Sequence, residues 1–159
     1  MEIFMADLDI GSKAPDFTLP TNGGGKIKLS ALKGQPVVVY FYPKDDTSGC
    51  TAEACSFTEN IAAFNKVKAT IIGISKDSVA SHDKFVEKYG LKFPLASDED
   101  GKVCEKYGTW VEKSMYGRKY MGIDRSTFVI DADGKIAAMW RKVKVPGHTE
   151  DVIDALKAL

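Results

Sequence analysis

Hydrophobic positions along the chain fall into short runs whose periods alternate between strand and helix. Val37-Val38-Val39-Tyr40-Phe41-Tyr42 is a continuous apolar run ended by Pro43. Such a run predicts a central strand covered on both faces. Ala54, Phe57, Ile61 and Phe64 then recur at helical spacing and predict a helix from about Cys50 to Lys66. Thr70-Ile71-Ile72-Gly73-Ile74-Ser75 reads as a second buried strand. Asp77 or Ser78 is placed to cap the helix that follows, with Val79, Phe85, Val86 and Tyr89 inward and Gly90 as its stop.

Beyond Pro94 the pattern changes. Thr127-Phe128-Val129-Ile130 and Lys135 to Trp140 read as strands joined at Asp131-Ala132-Asp133-Gly134, a hairpin signal. A last helix begins near Thr149 and carries Val152, Ile153, Leu156 and Leu159 on one face. Near the N-terminus, Asn22-Gly23-Gly24-Gly25 lies between the short segments Phe17-Thr18-Leu19 and Lys26-Ile27-Lys28-Leu29, which reads as another hairpin. The sum is an α/β chain: a central mixed sheet flanked by helices on both faces, with an N-terminal β-hairpin extension. That order resembles the thioredoxin fold.

With 159 residues the chain is long enough for one domain with a real core, so 1–159 is expected to be a single unit. Residues 1–8 are expected to form an extension with no fold of their own. Lys plus Arg and Asp plus Glu each number 22, so no net charge draws the molecule to nucleic acid or an anionic membrane. The densest basic stretch, Arg141-Lys142-Val143-Lys144-Val145, alternates in part and reads as a strand edge with a solvated face. No apolar run has the length of a membrane span, and the start lacks signal-peptide form, so a cytoplasmic location is expected. Three cysteines, Cys50, Cys55 and Cys104, make an odd count that argues against a structural disulfide framework.

The chemistry gathers where the first central strand gives way to the first long helix, over Phe41-Tyr42-Pro43-Lys44-Asp45-Asp46-Thr47-Ser48-Gly49-Cys50-Thr51-Ala52-Glu53-Ala54-Cys55. Sites in open α/β sheets collect at such junctions. Thr47 suits the N-cap, which puts Cys50 in the first turn, where unpaired N–H groups favour an anion. A thiol there ionises more readily than in water. The polar Thr-Ser-Gly lead and a second cysteine five residues on set Cys50 apart from a cysteine that merely fills the core.

Pro43-x-x-x-Thr47-x-x-Cys50 resembles the active-site signature of the peroxiredoxins, thiol peroxidases that use no metal or cofactor. The string through Cys55, with Asp124 to Asp131 and Val143-Lys144-Val145-Pro146-Gly147-His148, is similar to the Q-type or bacterioferritin-comigratory branch. The resemblance runs from about Ala14 to the C-terminus. It implies that Cys50 is the peroxidatic cysteine, that Thr47 orients the peroxide, and that Pro43 shapes the loop and shields the thiolate. Arg125 would stabilise both thiolate and polarising peroxide. Glu53 and Arg141 match positions that form a supporting ion pair, although Glu53 is equally well explained as a first-turn carboxylate. Ser48 stands where the family usually has proline.

The resemblance further implies that Cys55 resolves the Cys50 sulfenic acid, with thioredoxin as reductant and a monomer as the working form. Five residues of ideal helix separate two Cα atoms by about 8.5 Å. A disulfide does not close beyond about 7 Å, so the helix start must unwind in each cycle. Cys104 is an alternative resolving thiol, with buried packing the favoured reading. A dithiol oxidoreductase acting on proteins would want the tighter Cys-x-x-Cys spacing. A metal site finds only His82 and His148, neither at ligand spacing from the cysteines, so exposed or capping roles are expected for both. A chaperone that has lost catalysis does not explain Thr47, Cys50 and Arg125 together.

Overall fold

The computed structural model describes residues 8–159, so all but the last residue of the expected extension over 1–8 lies outside the described residues. β1 (Thr18–Pro20) and β2 (Lys26–Lys28) pair antiparallel as the N-terminal hairpin. Next come β3 (Val37–Phe41), α1 (Ser48–Glu59), α2 (Ile61–Lys66), β4 (Thr70–Ser75), α3 (Val79–Tyr89), β5 (Leu95–Ser97) and α4 (Lys102–Lys106). The chain ends with β6 (Trp110–Met115), β7 (Arg118–Ile123), β8 (Ser126–Ile130), β9 (Ile136–Trp140) and α5 (His148–Lys157). The central sheet runs β5-β4-β3-β8-β9, with β3, β4 and β5 mutually parallel and β8 and β9 antiparallel. This is the mixed α/β sheet that the strand and helix order predicts.

Every residue of β3 is buried, as expected of a strand with cover on both sides. Its side chains alternate between two cores. Val37, Val39 and Phe41 join Ile72, Ile74, Phe128 and Tyr107 beneath α4 and the N-terminal hairpin. Val38 and Tyr40 join Phe57, Phe64, Phe85 and Val152 from α1, α2, α3 and α5. Cys50 belongs to the second core and Cys104 to the first, so the sheet stands between them.

Three expectations need correction, and one element was not foreseen. The helix expected over Cys50 to Lys66 starts at Ser48 and breaks at Asn60, whose side-chain Nδ2 donates to the Ser56 carbonyl at 2.8 Å. An asparagine that binds its own backbone competes with the helical ladder. The β6–β7 hairpin, turning at Tyr116 (φ 53°) and Gly117 (φ 78°), was absent from the sequence reading. Most of β7 is exposed, so no inward stripe with a period of two marks it. Arg141 to Val145 is not a strand edge. Lys142 adopts φ 51° and the Val143 N–H donates to the Arg125 carbonyl at 2.9 Å, which draws the chain across the start of β8. Leu159 lies beyond α5 and is exposed instead of joining its apolar face.

At the sheet centre, Gly73 lets β4 approach the aromatic layer. A Cβ there would sit 2.8 Å from Leu95 Cδ2 and 2.9 Å from the Tyr40 ring and hydroxyl. Gly73→Ala is therefore expected to destabilise the protein by about 1–3 kcal/mol through overpacking, read as a lower urea midpoint at unchanged slope.

Candidate active site

The loop Tyr42 to Thr47 carries the chain from the end of β3 to the start of α1. Cys50 is the third residue of the helix and only 1% exposed. The Thr51 N–H reaches back to the Thr47 carbonyl at 2.8 Å, so N–H groups of the first turn remain without intrahelical acceptors around the thiol. Such unpaired N–H groups carry partial positive charge at the helix start. Thr47 occupies the N-cap in extended conformation, but its side chain does not cap. Its hydroxyl donates to the Lys44 carbonyl at 3.0 Å and closes the loop instead. With that proton committed, the hydroxyl oxygen has lone pairs to offer a ligand O–H. Pro43 is exposed, as are Thr47 and Ser48, which takes the first helical position.

Arg125 comes from the short connection between β7 and β8. Its Nη2 lies 3.4 Å from Cys50 Sγ, and its Nη1 donates to Glu53 Oε1 at 2.7 Å. One planar guanidinium thus spans the thiol and the carboxylate. Gly49 makes room for it, because a Cβ at that position would stand 3.1 Å from Arg125 Nη2. Cys50 and Glu53 are three residues apart on α1 and so share a helix face.

Glu53 is 1% exposed, and its second oxygen, Oε2, has no hydrogen-bond partner among the described residues. Burial pushes its carboxyl up to about 7, with Arg125 pulling the other way. Burial alone would lower Arg125, but Glu53 and then Cys50 hold its guanidinium above the ordinary value. Arg141 does not join this pair. Its Nη2 and Nη1 donate to the carbonyls of Tyr107 and Gly108 at 3.0 and 3.3 Å, where α4 ends. The expected Glu53–Arg141 ion pair is therefore replaced by Glu53–Arg125, because the carbonyls left free at the α4 terminus take the Arg141 donors.

Cys55 lies on the same unbroken helix as Cys50, half-buried, and all three cysteines are free thiols. Burial, with Glu59 second, raises the Cys55 thiol. Cys104 is fully buried behind the sheet; burial and then Asp98 push its thiol far up. It is a packed thiol, remote from Cys50.

Both histidines depart from expectation. His148 is buried, with Nε2 2.8 Å from Thr127 Oγ1 and its ring edge-on to Phe57 and Trp140. His82 is fully buried, with Nδ1 2.7 Å from Asp45 Oδ2 and Nε2 3.1 Å from the Ala96 carbonyl. Asp45 and the next residue, Asp46, tie the loop before Cys50 to α3. Lys88 and Tyr89 donate to Asp46 at 2.8 and 2.7 Å. The sequence does not show that Asp45 and Asp46 meet α3 at His82, Lys88 and Tyr89. A signal for the burial of His82 existed, since it is three residues before Phe85 on the inward face of α3.

Because Glu53 is held with its proton more tightly in the fold than in the open chain, the native state binds more protons between about 4.5 and about 7. Stability contributed by this group is full below about 4.5 and lost as pH rises through about 7. Glu53→Gln is expected to flatten that fall, measured by urea unfolding across the window.

A family model described as AhpC/TSA matches residues 10–139. A putative peroxiredoxin bcp of Coxiella burnetii is 52% identical over 149 residues, covering 94% of this chain and 99% of that one. The peroxiredoxin Bcp of Bacillus subtilis is 47% identical over 150 residues, covering 94% and 96%. A solved structure of the bacterioferritin comigratory protein of Xanthomonas campestris, a protein described as having alkyl peroxide reduction activity, superposes with a TM-score of 0.88. It is 44% identical, and the match covers 96% of this chain and 98% of that one. A buried helix-start thiol faced by an arginine, on this fold and with these relatives, places the chain in the AhpC/TSA family as a peroxiredoxin of the Bcp type.

Proposed function

We propose that the protein reduces hydrogen peroxide and organic hydroperoxides at Cys50, closes a Cys50–Cys55 disulfide, and is reset by thioredoxin or a similar dithiol. The observation that carries this reading is the contact of Arg125 Nη2 with Cys50 Sγ at 3.4 Å in the first turn of α1. A thiolate is the nucleophile, and both the helix start and the guanidinium favour it. The alkyl peroxide activity of the Xanthomonas campestris relative supports organic hydroperoxides as substrates. A single unit over 1–159 that works as a cytoplasmic monomer, with no metal or cofactor and no nucleic-acid or membrane partner, belongs to the same proposal.

Cys50 Sγ attacks the terminal oxygen of ROOH as the O–O bond breaks. The bonding pair leaves on RO⁻, which takes up a proton, and Cys50 becomes a sulfenic acid. Thr47 accepts the peroxide O–H while Arg125 donates where negative charge develops. Cys55 then attacks Cys50 Sγ, displaces the hydroxyl as water and leaves the disulfide. That step requires α1 to unwind, since five helical residues hold the Cα atoms about 8.5 Å apart.

Peroxide consumption with thioredoxin, its reductase and NADPH tests the reading. Cys50→Ser is expected to abolish peroxide reduction, Cys55→Ser to consume one equivalent and stall, and Cys104→Ser to turn over as the wild type does. Full activity of Cys50→Ser would overturn the proposal. Arg125→Met removes a donor aimed at developing charge and should slow sulfenic acid formation by about 100- to 1000-fold in rapid-mixing measurements.

A further inference from the structure

The loop that precedes Cys50 is fastened by a buried polar cluster with no direct contact to the reacting sulfur. Asp45 stands two residues before Thr47 and five before Cys50. One of its carboxylate oxygens receives the Tyr42 hydroxyl at 2.5 Å. The other receives the Ser81 hydroxyl at 2.8 Å and faces His82 Nδ1 at 2.7 Å. The Asp45 backbone N–H donates to Asp77 Oδ2 at 2.8 Å, and Asp77 is itself held by Ser75 Oγ at 2.6 Å. The loop is thus gripped from the ends of β3 and β4 and from α3, while β5 supplies the Ala96 carbonyl behind the ring.

The hydrogen bonds define the state of the ring. A neutral imidazole has one N–H donor and one acceptor nitrogen. Here both nitrogens face oxygen: the Ala96 carbonyl has no proton to give, and Asp45 already accepts two hydroxyls. A carboxylate that collects three donors is satisfied when ionised, and a ring between two acceptors is satisfied when it carries both protons. The side chains of His82 and Asp45 are 0% and 4% exposed, so water does not substitute for either partner.

We infer that His82, buried as an imidazolium against Asp45, is a positioning residue for the peroxide pocket. It holds the 43–47 loop in the shape that sets Thr47 beside the start of α1. This inference rests on Cys50 being the reacting thiol. An imidazolium serves this purpose better than an apolar side chain of similar size, because a charged pair fixes direction as well as distance. Its loss leaves Asp45 buried without a counterion and lets the loop relax away from α3. The peroxide reaction, which needs donors and acceptors aligned about two oxygens, suffers from that relaxation. Alkylation of the same sulfur needs the thiolate and access but no alignment of two peroxide oxygens, and Cys50 is 1% exposed in the intact loop.

The test compares two reactions of one thiol in His82→Gln and Asp45→Asn. Sulfenic acid formation with hydrogen peroxide is expected to fall about 10- to 100-fold in each variant. Alkylation of Cys50 by iodoacetamide should rise in the same proteins. If the two rates change together, or neither changes, His82 only supports the fold and the inference fails. Wild-type protein gives a second, mutation-free readout. Nitrogen-resolved NMR of the ring should show slowly exchanging protons on both His82 nitrogens in the reduced enzyme, and a singly protonated ring would overturn the inference. Cys50→Ser run alongside separates the two levels. Peroxide reduction surviving in that variant would sink the assignment of Cys50, whereas its loss leaves the ratio of rates to judge His82 alone.

Discussion

The buried sulfur at the start of α1 is met by a guanidinium that arrives from 75 residues away in the chain. The pairing of β3 with β8 delivers it. Phe41 at the end of β3 is opposite Ser126 at the start of β8, so Arg125 emerges beside the loop that leads to Cys50. A slip of one residue in that ladder would turn Phe128 and Ile130 out of the first core and carry Arg125 away from the thiol. Two cores that interlock through alternate residues of β3 make such a slip costly. The register that packs the sheet therefore also assembles the site.

Around this point the segment with both cysteines is fastened at its two ends, and between them Cys50 and Ala54 pack into the second core. Before it, Asp45 and Asp46 bind α3 and the end of β3. After it, Ser56 and Thr149 share a hydrogen bond of 2.6 Å, and Phe57 packs against the edge of His148 on α5. Between these anchors, Arg125 holds Cys50 and Glu53. On the proposed cycle, oxidation of Cys50 changes the group that Arg125 Nη2 faces, while its bond to Glu53 remains. Opening of the stretch from Ser48 to Cys55 also withdraws Cys50 and Ala54 from the second core. Both the activation of Cys50 and its release are thus functions of the same few contacts.

Much of the fold was legible because its signals are local. The apolar runs of β3 and β4, the serine that caps α3, and the turn before β9 each follow from residues a few positions apart. The break at Asn60 and the β6–β7 hairpin were not legible in the same way. One depends on a side chain competing with the ladder, and the other on a ribbon whose faces are largely exposed. In the site, the motif named Cys50, Thr47 and Arg125, and the fold brings Arg125 against Cys50, but Glu53 meets Arg125 and not the Arg141 expected of it. Which arginine meets which carboxylate depends on strand register and on the free carbonyls of α4. His82 was expected to be exposed or capping because a histidine in a helix carries no sign of its partner. Its inward position could be read, yet Asp45 and the Ala96 carbonyl meet it only in the folded chain.

The central claim is that the helix start that activates Cys50 must come undone for Cys55 to reach it, while the anchors on either side hold. Hydrogen exchange of the reduced protein against its Cys50–Cys55 disulfide form tests this directly. The amides from Thr51 to Glu59, whose helical acceptors lie between Thr47 and Cys55, should lose protection on oxidation, and those of Asn60, of α3 and of β3 should keep theirs. Full protection across α1 in a protein whose two thiols are joined within one chain would contradict the account.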